Sequence, residues 1–159
     1  ILDKTLATKK IERMALEIVE QNTNAEEILL AGINGNGLAI AKKLYTLLTP
    51  IFTGSIKVVE ILLNKRNPGE VVLQPETNSD NKVVVIVDDV VSSGKTMAYA
   101  LKPFLQVHPQ KIQTLVLVER THKLFPIHSD YVGLSVATTI QEHIYVEIAD
   151  GEVSGAWME

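Results

Sequence analysis

The sequence predicts an α/β domain with a mainly parallel sheet flanked by helices. Two observations carry the prediction. Short β-branched runs alternate with amphipathic helical stretches, an order that implies right-handed crossovers between parallel strands. The run Val83–Val87 is apolar without a break, as in a strand buried on both faces. A chain of 159 residues has room for one core, so residues 1–159 are expected to form a single domain.

The elements follow in order. Ile11, Met14, Ala15, Ile18 and Val19 recur at helical spacing between charged residues and predict a first helix ending near Asn22. Ile28–Ala31 reads as a buried strand, Asn34–Gly37 as a turn, and Leu38–Leu48 as a helix stopped by Pro50. Ile56–Leu63 predicts the second strand. Residues 64–81 are polar and rich in Pro, Gly and Asn around a brief Val71–Leu73 run, the mark of a functional loop. After the strand Val83–Val87, Met97, Leu101, Phe104 and Leu105 share one side of a helix that Pro103 should kink. Ile112–Val118 predicts another buried strand, with Tyr131–Val136 and Ile144–Ile148 closing the sheet.

Composition narrows the function. Hydrophobic residues are 46 % and charged residues 21 %, which excludes a disordered chain. A net charge of −4 gives no sign of a surface built around nucleic-acid phosphates. The absence of cysteine excludes disulfides and thiolate metal sites and fits a reducing cytosol, so a cytoplasmic protein is expected. No apolar run reaches the roughly 18 residues of a membrane span. The first residues lack a signal-peptide layout, and the missing initiator methionine is read as trimming. His108, His128 and His143 lack metal spacing and are expected at the surface.

The chemistry concentrates in Val83–Thr96. A buried strand delivers Asp88 and Asp89 to the sheet edge, and Ser92-Ser93-Gly94-Lys95-Thr96 then opens a helix. Backbone N–H groups at such a start suit a phosphate. Gly94 permits close approach and positive φ. Two carboxylates beside that nest would repel a phosphate but accept well from vicinal ribose hydroxyls. The combination describes a ribose 5-phosphate. A P-loop is excluded, because the position five before Gly94 is Asp89 rather than glycine. The dinucleotide pattern fails at Gly35-Asn36-Gly37, which lacks the third glycine. Helix capping alone would explain one acid and leave its neighbour unaccounted for.

Val84–Thr96 resembles the signature of type I phosphoribosyltransferases. Leu117–Lys123 and Pro126–Gly133 are similar to stretches of one branch, the bifunctional pyrimidine-operon attenuation regulators with uracil phosphoribosyltransferase activity. The likeness runs from the first helix to about Ile148. It implies a type I phosphoribosyltransferase fold with a small hood at about 120–143 and a flexible loop at about 64–81. By position, Asp88 and Asp89 would accept from the ribose hydroxyls of phosphoribosyl pyrophosphate, and Ser92, Ser93, Gly94, Lys95 and Thr96 would cradle its 5′-phosphate. Asn34, Gly35, Asn36 and Gly37 would form the pyrophosphate turn. Lys65 and Arg66 would reach the pyrophosphate, joining Asp88 and Asp89 as catalytic residues. Tyr131 would stack on the base, worth roughly 1–3 kcal/mol, beside Val132 and Arg120. For Arg120 and His122 an ion-pair role stays equally open.

The resemblance further implies Mg2+ held by substrate oxygens and water, with no direct protein ligand. It implies a homodimer or larger assembly, with a nucleobase as second substrate. Enzymes of this kind acting on 6-oxopurines have an aspartate where this chain has Ser92. Serine cannot handle that ring proton, which weakens hypoxanthine and guanine and leaves uracil or another base open, with uracil, giving UMP, the best single choice. The turn departs from the family by carrying no charge, a loss of about 1–3 kcal/mol of charge-assisted binding. That departure supports one alternative, a nucleotide sensor with weak or no catalysis; the resemblance itself leaves another, an RNA-binding attenuation regulator, which the acidic balance disfavours.

Overall fold

The computed structural model describes residues 1–159 throughout. Along the chain run β1 (Leu2–Asp3), α1 (Lys4–Gln21), β2 (Glu27–Ile33), α2 (Asn36–Leu48), β3 (Ser55–Leu62), β4 (Val72–Gln74) and β5 (Val83–Val91). They are followed by α3 (Lys95–Ala100), α4 (Lys102–Leu105), β6 (Lys111–Arg120), β7 (Tyr131–Val136), β8 (Ile144–Ala149) and β9 (Glu152–Met158). Six strands form one sheet in the order β4-β3-β2-β5-β6-β7. All of its pairings are parallel except that of β4 with β3. No helix is long and apolar enough to cross a membrane.

Alternation along each strand divides the interior. Ile28, Leu30, Val83, Val85, Leu115 and Leu117 face α1 and α2. Leu29, Ala31, Val84, Ile86 and Val116 face Met97, Ala100 and Phe104 on the other side. On α1, Ile11, Met14 and Ile18 are buried at the predicted spacing, and Asp3 caps the helix by accepting from Leu6 N at 2.7 Å. Burial is worth roughly 1.5–3 kcal/mol per large side chain and the cap about 1 kcal/mol. Packing, more than capping, therefore holds α1 in place.

Several expectations are corrected. The predicted strand Ile144–Ile148 does not close the main sheet: β8 joins β9 and β1 in a separate three-stranded antiparallel sheet. Within the expected hood at 120–143, Tyr131–Val136 form β7, the edge strand of the main sheet. The structure that caps the main body is the small sheet, made from both ends of the chain. The helix after the signature is interrupted as Pro103 predicts, breaking at Leu101 into two short pieces with Pro103 in the first turn of the second, but Leu105 does not share the buried side. Leu105 consequently points outward and is 67 % exposed. Within 64–81, the brief run expected at Val71–Leu73 contributes to β4, which pairs with β3 through Leu62↔Val72 and Glu60↔Gln74.

Candidate active site

The chain leaves β2 through α2 to β3 on one side, and leaves β5 through α3 and α4 to β6 on the other. The strand order therefore reverses between β2 and β5. In such sheets the crevice outside the carboxyl ends at that reversal is where ligands bind. Both the turn 34–37 and the acid pair lie there.

β5 runs on through the acids to Val91, whereas its pairing with β2 stops at Gly32↔Val87. Asp88 and Asp89 thus stand beyond the neighbouring strand, on backbone still held by β6. Successive strand residues point oppositely, and the two carboxyls differ accordingly: Asp88 is 1 % exposed and Asp89 half-buried. Asp88 Oδ1 accepts from Asp89 N at 2.9 Å and lies 3.4 Å from Lys65 Nζ. Burial, then the Asp89 charge, push the Asp88 carboxyl up to about 8, against the opposing pull of Lys65. Asp89 Oδ1 accepts from Val90 N at 2.8 Å and Oδ2 from Asn36 Nδ2 at 2.9 Å.

The turn reaches the acids because of its glycines. Gly35 adopts φ 91°, and a Cβ on Gly37 would lie 2.6 Å from Val87 O and 3.2 Å from Asp88 Oδ1. Only a bare backbone lets the start of α2 approach β5 this closely. Asn34 is structural, with its Oδ1 accepting from Leu63 N at 3.2 Å.

Val90–Met97 wrap a cavity of about 220 Å³ that Lys65, Asp88, Asp89 and Ile144 complete. Gly94 takes φ 87°, and Ser93 Oγ accepts from Lys95 N at 3.2 Å. Ser93 O also accepts from Leu124 N and Phe125 N, at 2.9 and 3.0 Å, which fastens the loop to the segment after β6. α3 has only six residues, so the loop's amides and hydroxyls, rather than a long helix dipole, define this cradle.

The structure brings together Lys65, Asp88, Asp89 and Ser92–Thr96 on this cavity, with Asn36 joined through Asp89. Arg66 is exposed and does not line it. The stacking role of Tyr131 is corrected. Its side chain is 0 % exposed, packs in the α1-facing core, donates to Gln113 Oε1 at 2.6 Å and accepts from Asn22 Nδ2 at 3.3 Å. Burial foremost raises its phenol to about 12. No face of the ring is open to a base. Val132 points to the opposite core and lines neither this cavity nor the next.

Arg120 does line a cavity, one of about 440 Å³ that touches the Ser92–Thr96 loop at Ser93 and includes His122, Lys123 and Thr138–Ile140. Arg120 Nη2 donates to Glu142 O at 2.7 Å, while its Nε and Thr138 Oγ1 are buried without a partner. Lys123 pairs with Glu119 at 2.9 Å. Thr138–Ile140 were missed in sequence because they sit in a loop without periodicity. Their only signal is position, a few residues beyond β7.

Comparison with known proteins agrees with this geometry. The Phosphoribosyl transferase domain family matches residues 1–150. The Bifunctional protein PyrR of Clostridium novyi is 33 % identical, with 94 % of this chain and 90 % of that protein covered. That of Clostridioides difficile is 32 % identical, with 97 % and 94 % covered. Among solved structures, hypoxanthine phosphoribosyltransferase from Trypanosoma cruzi superposes with a TM-score of 0.78 at 15 % identity, covering 98 % of this chain and 92 % of that one. A hypoxanthine-guanine phosphoribosyltransferase from Bacillus anthracis gives 0.73 at 19 % identity, covering 86 % and 80 %. The strand reversal, the acid pair and the Ser92–Thr96 loop have their explanation in this kinship: the chain belongs to the phosphoribosyltransferase family, with the type I fold, on the branch of the PyrR proteins.

Proposed function

We propose that the protein transfers ribose 5-phosphate from phosphoribosyl pyrophosphate to a pyrimidine base, uracil first, forming UMP and releasing pyrophosphate. The observation that carries this is the meeting of the Asp88–Asp89 pair with the Ser92–Thr96 loop on one cavity at the strand reversal. The acids accept from the ribose hydroxyls, and the loop receives the 5′-phosphate. As the bond from the sugar carbon to pyrophosphate breaks, its electron pair leaves with the pyrophosphate; the base nitrogen supplies the new pair and gives up its proton to solvent. The Asp89 carboxylate, joined by Asp88 once that group has given up its proton, favours the positive charge that develops between these events.

Asp88 and Asp89 are the only carboxylates on the cavity, and no three acidic or histidine side chains converge elsewhere as a cation cage. Hard oxygen donors of this kind suit Mg2+, with most ligands coming from substrate and water. When bound, that ion would offset the charge of the departing pyrophosphate. Lys65 adds a cation on the same side.

For the base, the neighbouring cavity replaces the Tyr131 platform. Arg120 Nε and Thr138 Oγ1, buried and unpaired, are polar groups that a base carbonyl and ring N–H would satisfy. Ile140 supplies an apolar wall. The test is incubation with Mg2+, phosphoribosyl pyrophosphate and a panel of free bases, following monophosphate formation. Conversion of uracil supports the reading, and conversion of only 6-oxopurines overturns the choice of base. Tight phosphoribosyl pyrophosphate binding without turnover of any base favours the second reading, a nucleotide sensor, to which the uncharged turn points.

A further inference from the structure

Asn36 enters the reading above only as one member of an uncharged turn, yet its side chain joins three elements. From the start of α2, Nδ2 donates to Asp89 Oδ2 at 2.9 Å on β5 and to Val146 O at 3.0 Å on β8. An amide nitrogen carries two hydrogens, and both are used. The opposite orientation would turn the amide oxygen toward a carboxylate and a carbonyl, two acceptors, so only one orientation fits. The Val146 carbonyl therefore fixes the amide, and the amide fixes Asp89. The other oxygen of Asp89 is already held by Val90 N at 2.8 Å. With both oxygens restrained, the carboxylate has a single direction in which to face the cavity.

The kind of donor matters as much as its place. A lysine or arginine here would neutralise Asp89 while adding affinity for pyrophosphate. A neutral amide orients Asp89 and leaves its charge for the sugar. We infer that Asn36 is a positioning residue for ribose recognition, acting through Asp89, although the turn it belongs to faces the pyrophosphate. The inference rests on the reading of the cavity as the phosphoribosyl pyrophosphate site. It gives the uncharged turn a purpose within that site.

Two probes separate action through Asp89 from action within the turn. Ribose 5-phosphate meets the acids, whereas pyrophosphate alone meets the turn. Calorimetry with Mg2+ on the whole protein is expected to show Asn36→Ala weakening ribose 5-phosphate about tenfold or more, with pyrophosphate changed less than about threefold. In an Asp89→Asn background, Asn36→Ala should cost nothing further, since coupled residues are not additive. Should Asn36→Ala unfold the protein, Asn36→Ser, with one hydroxyl donor left, takes its place and should weaken ribose 5-phosphate by a smaller factor. Unchanged ribose 5-phosphate affinity, a loss confined to pyrophosphate, or full additivity with Asp89→Asn overturns the inference. Asp88→Asn distinguishes the two levels. If it leaves ribose 5-phosphate bound as before, the cavity reading itself fails. If it abolishes binding while the Asn36 variants bind normally, only the positioning role falls.

Discussion

Asp88→Asn exchanges one carboxyl oxygen for an amide nitrogen at a position 1 % exposed, so shape and packing are kept while ionisation is removed. The wild-type carboxyl is raised from 3.8 to about 8, first by burial and next by Asp89. Between those values the folded chain holds a proton that the unfolded chain has released. Unfolding free energy therefore falls as pH rises through the window, and the cost is complete above about 8. At pH 7 the difference spans about 3 pH units, each worth about 1.4 kcal/mol, for a cost on the order of 4 kcal/mol. At pH 5 the same reasoning leaves well under half of that cost. Asparagine has no such cost. Urea titrations of both proteins at pH 5, 6, 7 and 8 should show the variant increasingly the more stable, while ribose 5-phosphate binding is lost. Stability gained where function is lost marks a site group held against its own preference. A stability difference that stays flat across this pH range would refute the reasoning.

Three further substitutions test the remaining geometry. Tyr131→Phe removes a hydroxyl bonded to Gln113 and Asn22 in the core; unfolding free energy should fall by about 1–3 kcal/mol with the KM for base unchanged, and a KM effect without a stability loss would restore the stacking role. Gly37→Ala puts a methyl 2.6 Å from Val87 O, a backbone atom that cannot swing aside. Thermal unfolding should register a loss of about 1–3 kcal/mol, together with weaker phosphoribosyl pyrophosphate binding as the turn is pushed off the acids. Lys65→Gln removes the cation beside Asp88; kcat/KM should drop about tenfold or more, whereas Arg66→Gln, off the cavity, should change it less than about threefold.

The body of the fold was legible because its signals are local. The β-branched run of β5 marks a central strand, and the 3.6-residue stripe of α1 marks its buried side. The acid pair and its loop were legible because strand, acids, hydroxyls and glycine are contiguous in the chain. Tyr131 was misread because adjacent strand residues face opposite layers. Tyr131 pairs with Leu115 and joins the α1-facing core, whereas Val132, one step on, turns to the other. Periodicity says that a residue alternates but not which layer receives it. β8 shows its alternation in Ile144, Val146 and Ile148, yet nothing local states which sheet a strand will join. Its partner β9 is interrupted by Gly155 and carries Glu152 and Ser154, so it gave no strand signal at all. The Asn36 contacts with Asp89 and Val146 span 53 and 110 residues, and no spacing rule reaches that far.

The small sheet has a consequence for how the protein is assembled. β1 lies against β9 through Leu2↔Ala156, so the first and last strands of the fold must find each other across nearly the whole chain. Closing so long a loop is slow compared with forming the neighbouring crossovers of the main sheet. On a ribosome, the parallel body through β7 can condense while the residues of β8 and β9 are still in the exit tunnel. Val146, the anchor of the Asn36 amide, belongs to that late piece. The Ser92–Thr96 loop therefore takes shape early and the aligned acid pair late, and the cavity that joins them is complete only as synthesis of this region finishes.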